Sequence, residues 1–230
     1  MAGVLLLHGL SSHPVLTLGP LPRALRGAGY TLAQPALPGH GTRPEDLRGV
    51  RWGDWYRAAL EAYRALPKPK GVVGLSMGAL LAAMLAAEEE ASFLVALAPA
   101  LALKNPLAGL APYLHPLIPK APPTRSVSDP ARRKKSPNYP WIPTSAVAEL
   151  IRLQKATDPL LPKVKAPALV VQALGDTTVS PKGVRRFYER LGSERKDLMA
   201  YESEHDLLLD LRAEEVARDV TLWIQGVLPP

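Results

Sequence analysis

Val72-Val73-Gly74-Leu75 runs into the Ala- and Leu-rich stretch 77–90, with only Ser76 between a strand-like run and a helix-like one. A chain can pass from strand to helix across one residue only by a sharp backbone reversal between small neighbours. Gly74 and Gly78, two positions either side of Ser76, supply that room. The spacing predicts a buried strand, a strained turn that pushes the Ser76 hydroxyl outward, and a buried helix.

The same rhythm fills the rest of the chain, so the fold class read from it is α/β, with about six mostly parallel strands flanked by helices. Val4-Leu5-Leu6-Leu7 is apolar without alternation, as expected of a strand covered on both faces. Further strands are predicted at 30–34, 93–98, 168–173 and 197–201, and helices at 18–29, 54–66, 181–191 and 213–227. About seventy residues separate the strands ending at Ala98 and beginning at Ala168, far beyond an ordinary connection. The expected organisation is therefore a core of residues 1–100 and 166–230, interrupted at 101–165 by a small Pro-rich cap or lid with one helix at 145–155.

Composition narrows the chemistry. The 230 residues contain no cysteine, which excludes disulfide scaffolds, thiolate metal sites and a catalytic thiol and fits a reducing, cytoplasmic location. The apolar run near the N-terminus has no basic residues before it and is too short to span a bilayer, so stable membrane insertion is not expected. The 25 prolines suggest rigidified loops and a heat-adapted source, which a thermal melt checks. The net charge is +7, and Arg132-Arg133-Lys134-Lys135 forms its sharpest run. That run lacks interleaved aromatics or a nucleic-acid motif, so it reads as a solvated face and no nucleic-acid partner is expected.

A serine on a tight turn becomes a nucleophile only with a base and a group to orient that base. Of five histidines, only His205 follows the last predicted strand, where a loop overhangs the C-terminal edge of the sheet. Asp176 ends the preceding strand; Asp206 and Asp158 are its rivals, one adjacent to His205 and one inside the insertion. The order Ser76, Asp176, His205 suits acyl transfer on an open parallel sheet. His8-Gly9 closes the first strand, and the N–H groups of Leu10 and Met77 are the expected oxyanion donors. Leu10, Ser11 and Met77 are the expected substrate contacts. His8 is read as structural, as is His40 within Pro38-Gly39-His40-Gly41, and His13 and His115 have no partner spacing. Neither a metal site nor a cofactor is expected.

Leu5-Leu6-Leu7-His8-Gly9-Leu10, Pro38-Gly39-His40-Gly41, Asp54-Trp55, Gly74-Leu75-Ser76-Met77-Gly78, Asp176-Thr177-Thr178-Val179 and His205 occur in this order along nearly the whole chain. Together they resemble the α/β-hydrolase superfamily, and more narrowly the small bacterial carboxylesterases related to monoacylglycerol lipases. The resemblance implies Ser76 as nucleophile, His205 as base, Asp176 as its orienter, and Leu10 and Met77 as oxyanion donors. It also implies that two leading strands of larger relatives are missing here. Ala79, Ala173 and Glu204 stand where glycine is common in the family, and Glu204 would raise the His205 pKa if its carboxylate lies close.

The function expected is a cofactor-free serine hydrolase that cleaves small-molecule carboxylic esters of short to medium acyl chains. Thioester or amide hydrolysis on the same triad, and a non-catalytic ligand-binding protein, remain open beside it. The oligomeric state is also open.

Overall fold

A computed structural model describes residues 1–123 and 125–230. Its centre is a six-stranded sheet made of β1 (Gly3–Leu7), β2 (Thr31–Ala33), β3 (Lys70–Leu75), β4 (Leu94–Leu97) and two later strands, β7 (Ala168–Ala173) and β8 (Lys196–Tyr201). The spatial order is β2-β1-β3-β4-β7-β8, and every adjacent pair is parallel. The continuous apolar runs are explained by cores on both faces. Leu5 and Leu7 enter one core with Trp55 and Leu80, whereas Val4 and Leu6 enter the other with Leu21, Phe93 and Ile224.

Helices α1 (Leu21–Gly27) and α8 (Ala213–Val227) cover the second face; α2 (Trp52–Arg64), α3 (Met77–Glu88) and, later in the chain, α7 (Pro181–Arg190) cover the first. All residues of α3 from Met77 to Ala86 are buried. Two lysines at strand starts close helix C-termini, where carbonyls lack intrahelical partners. Lys70 Nζ donates to Tyr63 O at 2.7 Å and Arg64 O at 3.1 Å, and Lys196 Nζ donates to Tyr188 O at 3.1 Å and Leu191 O at 3.0 Å.

The expected first helix at 18–29 is shorter and interrupted. A 3₁₀ turn, Leu16–Leu18, ends at Gly19, which has φ +50° and lies against the Leu208 carbonyl, and α1 begins only after Pro20. A Cβ at position 19 would sit 1.9 Å from Leu208 O, so this break between the 3₁₀ turn and α1 accepts only glycine. The second strand is likewise reduced to three residues.

Between β4 and β7 the chain forms α4 (Ala111–Leu114), β5 (Lys120–Ala121), α5 (Pro130–Lys134), β6 (Ile142–Pro143) and α6 (Thr144–Thr157). β5 and β6 pair antiparallel, a two-stranded sheet absent from the sequence reading. The basic run falls on α5, whose residues Arg132, Lys134 and Lys135 are exposed or flank it. α6 buries Ala146, Leu150 and Leu153 in the same core as α3, so the insertion is anchored on the body through its last helix. Among the described residues, no helix is long and apolar enough to cross a membrane.

Candidate active site

Ser76 sits at φ 56°, ψ −113°, between the end of β3 and the start of α3. This left-handed conformation is costly for a residue with a Cβ and is held by its surroundings. A Cβ on Gly74 would meet Gly78 O at 2.1 Å, and one on Gly78 would meet Leu7 O at 2.4 Å, so both glycines are required by close backbone approach. Ser76 N–H donates to Leu97 O at 2.8 Å, while Ser76 O accepts from Ala79 and Ala100, which locks the turn on three sides.

The three residues expected to act together converge from the ends of β3, β7 and β8. Ser76 Oγ lies 2.8 Å from His205 Nε2, and His205 Nδ1 lies 2.7 Å from Asp176 Oδ2. A carboxylate can only accept, so Nδ1 carries the imidazole proton and Nε2 is free to accept from the serine hydroxyl. The other Asp176 oxygen accepts from Thr178 N–H at 2.7 Å and Val179 N–H at 2.8 Å. Burial alone would raise the Asp176 pKa, but the His205 contact and these two donors hold it below the usual carboxylate value. Burial alone would lower the His205 pKa, but Asp176 first, then Asp206 and Glu204, hold it above the ordinary imidazole value.

The rival acids are otherwise engaged. Asp206 Oδ2 accepts from Asn138 Nδ2 at 2.6 Å, and burial pushes its pKa up. Asp158 is ion-paired with Arg186 at 2.7 Å and Arg190 at 3.2 Å. Glu204 accepts from the Thr177 hydroxyl at 3.0 Å and lies 3.7 Å from Arg125, so its charge is partly spent locally.

His8 and His40 are built into the turns. Leu37 N–H donates to His8 Nε2 at 3.2 Å, and burial followed by the His40 charge lowers the His8 pKa to about 3, so it stays neutral. Its ring meets His40 edge-on at 4.6 Å. Burial lowers His40 to about 4, and its Nδ1–H donates toward Pro38 O at 3.1 Å. His13 accepts from the Val15 and Leu16 N–H groups at 3.2 Å, ordering the loop before Gly19.

Above Ser76 lies a cavity of about 420 Å³, bordered by the segment between β4 and β7 and lined by Leu10, Ser11, Ser76 and His205. Among the described residues, the N–H groups of Leu10 and Met77 have no protein acceptor. Ser11 adopts φ 59° and its carbonyl accepts from Tyr139 N–H, which ties the turn after β1 to the insertion. The Met77 side chain is fully buried in the core on the α3 side and is not among the residues that line the cavity.

The cavity has two kinds of wall. The insertion contributes Leu103, Leu107, Ala111, Leu114, Ile118 and Val147, whereas Ser126, Asn138, Thr177 and Asp206 gather on the His205 side. Among the residues that line the cavity, Asn138 Oδ1, Thr144 Oγ1 and Thr178 Oγ1 are buried without a hydrogen-bond partner. Sequence reasoning missed this polar wall, since residues 126, 138 and 206 meet only through the tertiary fold. The Thr178 and Val179 donors were readable, because an Asp followed two and three residues later by free N–H groups is the ordinary Asx turn. Among the described residues, no cluster of His, Asp and Glu could hold a metal ion.

A parallel sheet with a serine on a one-residue strand-to-helix turn, and a histidine and acid on neighbouring strand ends, defines an α/β-hydrolase. The chain belongs to the serine aminopeptidase S33 family, whose model matches residues 1–212. It is 29% identical to a thermostable monoacylglycerol lipase of Bacillus sp. (strain H-257), over 86% of this chain and 79% of the relative. It is 26% identical to a carboxylesterase of Bacillus subtilis (strain 168), over 96% and 92% of the two chains. Among solved structures it is similar to a metagenome-derived lipolytic enzyme of the LipS and LipT pair, at TM-score 0.88 and 28% identity over 98% of this chain and 94% of that one. The chain is thus an enzyme of the esterase-type hydrolases.

Proposed function

We propose that the protein hydrolyses small carboxylic esters through a Ser76–His205–Asp176 triad and an acyl-enzyme. Ser76 Oγ attacks the acyl carbon while His205 Nε2 takes its proton, and the Leu10 and Met77 N–H groups receive the carbonyl oxygen as it becomes anionic. His205 then protonates the departing alcohol. Water enters, gives a proton to His205 and attacks the acyl carbon, and the proton returns to Ser76 as the carboxylic acid leaves. The observation that carries this reading is the continuous chain Ser76 Oγ, His205 Nε2, His205 Nδ1, Asp176 Oδ2 at 2.8 and 2.7 Å.

The insertion at 101–165 acts as a cap on a core of residues 1–100 and 166–230. Its apolar side receives a short to medium acyl chain. The leaving alcohol faces His205, which must protonate it, so it lies against the wall of Ser126, Asn138 and Asp206. The polar side chains on that wall suit an alcohol that carries further hydroxyls. The relatives named for monoacylglycerol and carboxylic ester hydrolysis support the same class. A cysteine-free chain supports a cytoplasmic location.

The test is a burst assay with a p-nitrophenyl ester, followed by intact mass, on wild type and Ser76→Ala. Wild type is expected to gain one acyl group and Ser76→Ala none. Equal background turnover without acylation of either protein overturns the reading. Matched thioester and amide substrates in the same assay rank the leaving groups, and faster turnover of either would replace ester as the assigned class.

A further inference from the structure

One tie between the insertion and the loop that carries His205 runs through a buried carboxylate that the mechanism does not use. Asp210, in the turn after His205, is fully buried, and its two oxygens face different parts of the chain. Oδ1 accepts from Ser128 N–H at 3.2 Å and from the Ser128 hydroxyl at 2.5 Å, both on the insertion. Oδ2 accepts from Glu204 N–H at 2.8 Å, one residue before His205. Ser203 Oγ lies 3.2 Å from the same oxygen, with its single proton shared with Glu204 O at 3.0 Å.

We propose that Asp210 is a positioning residue for His205, bridging the loop that carries the base to the Ser128 segment of the insertion. The proposal rests on the reading of His205 as the base.

Three features make the bridge more than a satisfied core acid. A buried carboxylate is stable only where donors converge on it, and here they come from both sides, so neither side can shift without leaving charge unpaired. The Ser128 and Asn138 hydrogen bonds also place the insertion on both sides of the base. Asp206 N–H donates to Ser126 O at 2.8 Å and Asn138 Nδ2 donates to Asp206 Oδ2 at 2.6 Å, while Arg132 donates to Asp210 O at 2.8 Å. Finally, the loop has no other strand or helix to define it, because β8 ends at Tyr201 and α8 begins only at Ala213. Asp210 itself stays ionised: burial would raise its pKa, but the Ser128 hydroxyl and the backbone donors hold it below the ordinary value.

Displacing a catalytic group by about 1 Å costs on the order of 100-fold in rate. Asp210→Asn cannot accept on both sides at once and is expected to lower kcat about 10- to 100-fold on a water-soluble ester, with KM changed less than about threefold. Ser128→Ala leaves the fold intact and is expected to lower kcat about three- to tenfold, and Ser128→Thr, which keeps the hydroxyl, restores it. In wild type the His205 Nδ1 proton should give a downfield NMR resonance, and it should move or broaden in Asp210→Asn and Ser128→Ala. A purely structural role would lower the melting temperature but leave this resonance and the Thr rescue unaffected. Wild-type kcat and an unmoved resonance in both variants overturn the proposal. His205→Ala, assayed alongside, separates the two readings: its retention of activity would instead remove His205 as the base.

Discussion

At the residue scale, the site is governed by carboxylates around one imidazole. Asp176, Asp206 and Glu204 all favour the protonated form of His205 and together outweigh its burial. The base acts only when neutral, so activity is lost as pH falls through a raised pKa. The acid limb of kcat/KM should therefore have its midpoint above about 6.5, the ordinary imidazole value. Asp206→Asn can keep an oxygen toward Asn138 but loses its charge, so it should move that midpoint to lower pH. A midpoint that stays put in Asp206→Asn would show that the carboxylate does not act on His205. Asp176→Asn is expected to cost about 10⁴ in kcat, the scale seen when the orienting acid of such a triad is removed. That Ser76, Asp176 and His205 would meet was legible because each follows a strand end. The meeting of Asp210 and Ser128 was not, because no local pattern marks a carboxylate whose partners lie 82 residues away.

At the element scale, the elbow and its neighbours are fixed by contact distances. A Cβ on Gly78 would meet Leu7 O at 2.4 Å and His8 O at 2.6 Å, both backbone atoms of β1 and its turn. Gly78→Ala should therefore cost about 1–3 kcal/mol in urea unfolding. It should also lower kcat, because it pushes Ser76 and Met77 N–H away from the oxyanion turn. Gly27, in the last turn of α1, has nothing within 4 Å of the same position, so Gly27→Ala should raise stability by about 0.4–1 kcal/mol. Equal effects at the two positions would mean that crowding at the elbow is not what requires glycine there. The strands were legible because both-face burial leaves an unbroken apolar signature, as in Val4 to Leu7. The first helix is shorter than the pattern suggests because the chain breaks at Gly19, at φ +50°, before Pro20, a conformation that the residue types alone do not dictate.

At the scale of the whole molecule, a parallel sheet delivers three strand ends to one edge, and an insertion anchored through α6 roofs them. The long gap between Ala98 and Ala168 was legible in the sequence, but the pairing of β5 with β6 and the ties to the loop around His205 are tertiary and leave no local trace. The proposed division of labour across the cavity has a measurable consequence. Ala111 lies on the apolar wall in α4, and a large side chain there would fill the acyl side while leaving Ser76, His205 and the polar wall untouched. Each lost methylene contact in such a pocket is worth about 1–3 kcal/mol. Ala111→Trp should therefore cut kcat/KM for p-nitrophenyl decanoate at least about tenfold while leaving p-nitrophenyl acetate within about threefold of wild type. The ratio between the two esters carries the argument, because misfolding or damage to the triad lowers both together. A uniform loss would place the acyl chain elsewhere, and the insertion would then serve the alcohol and the base rather than the chain.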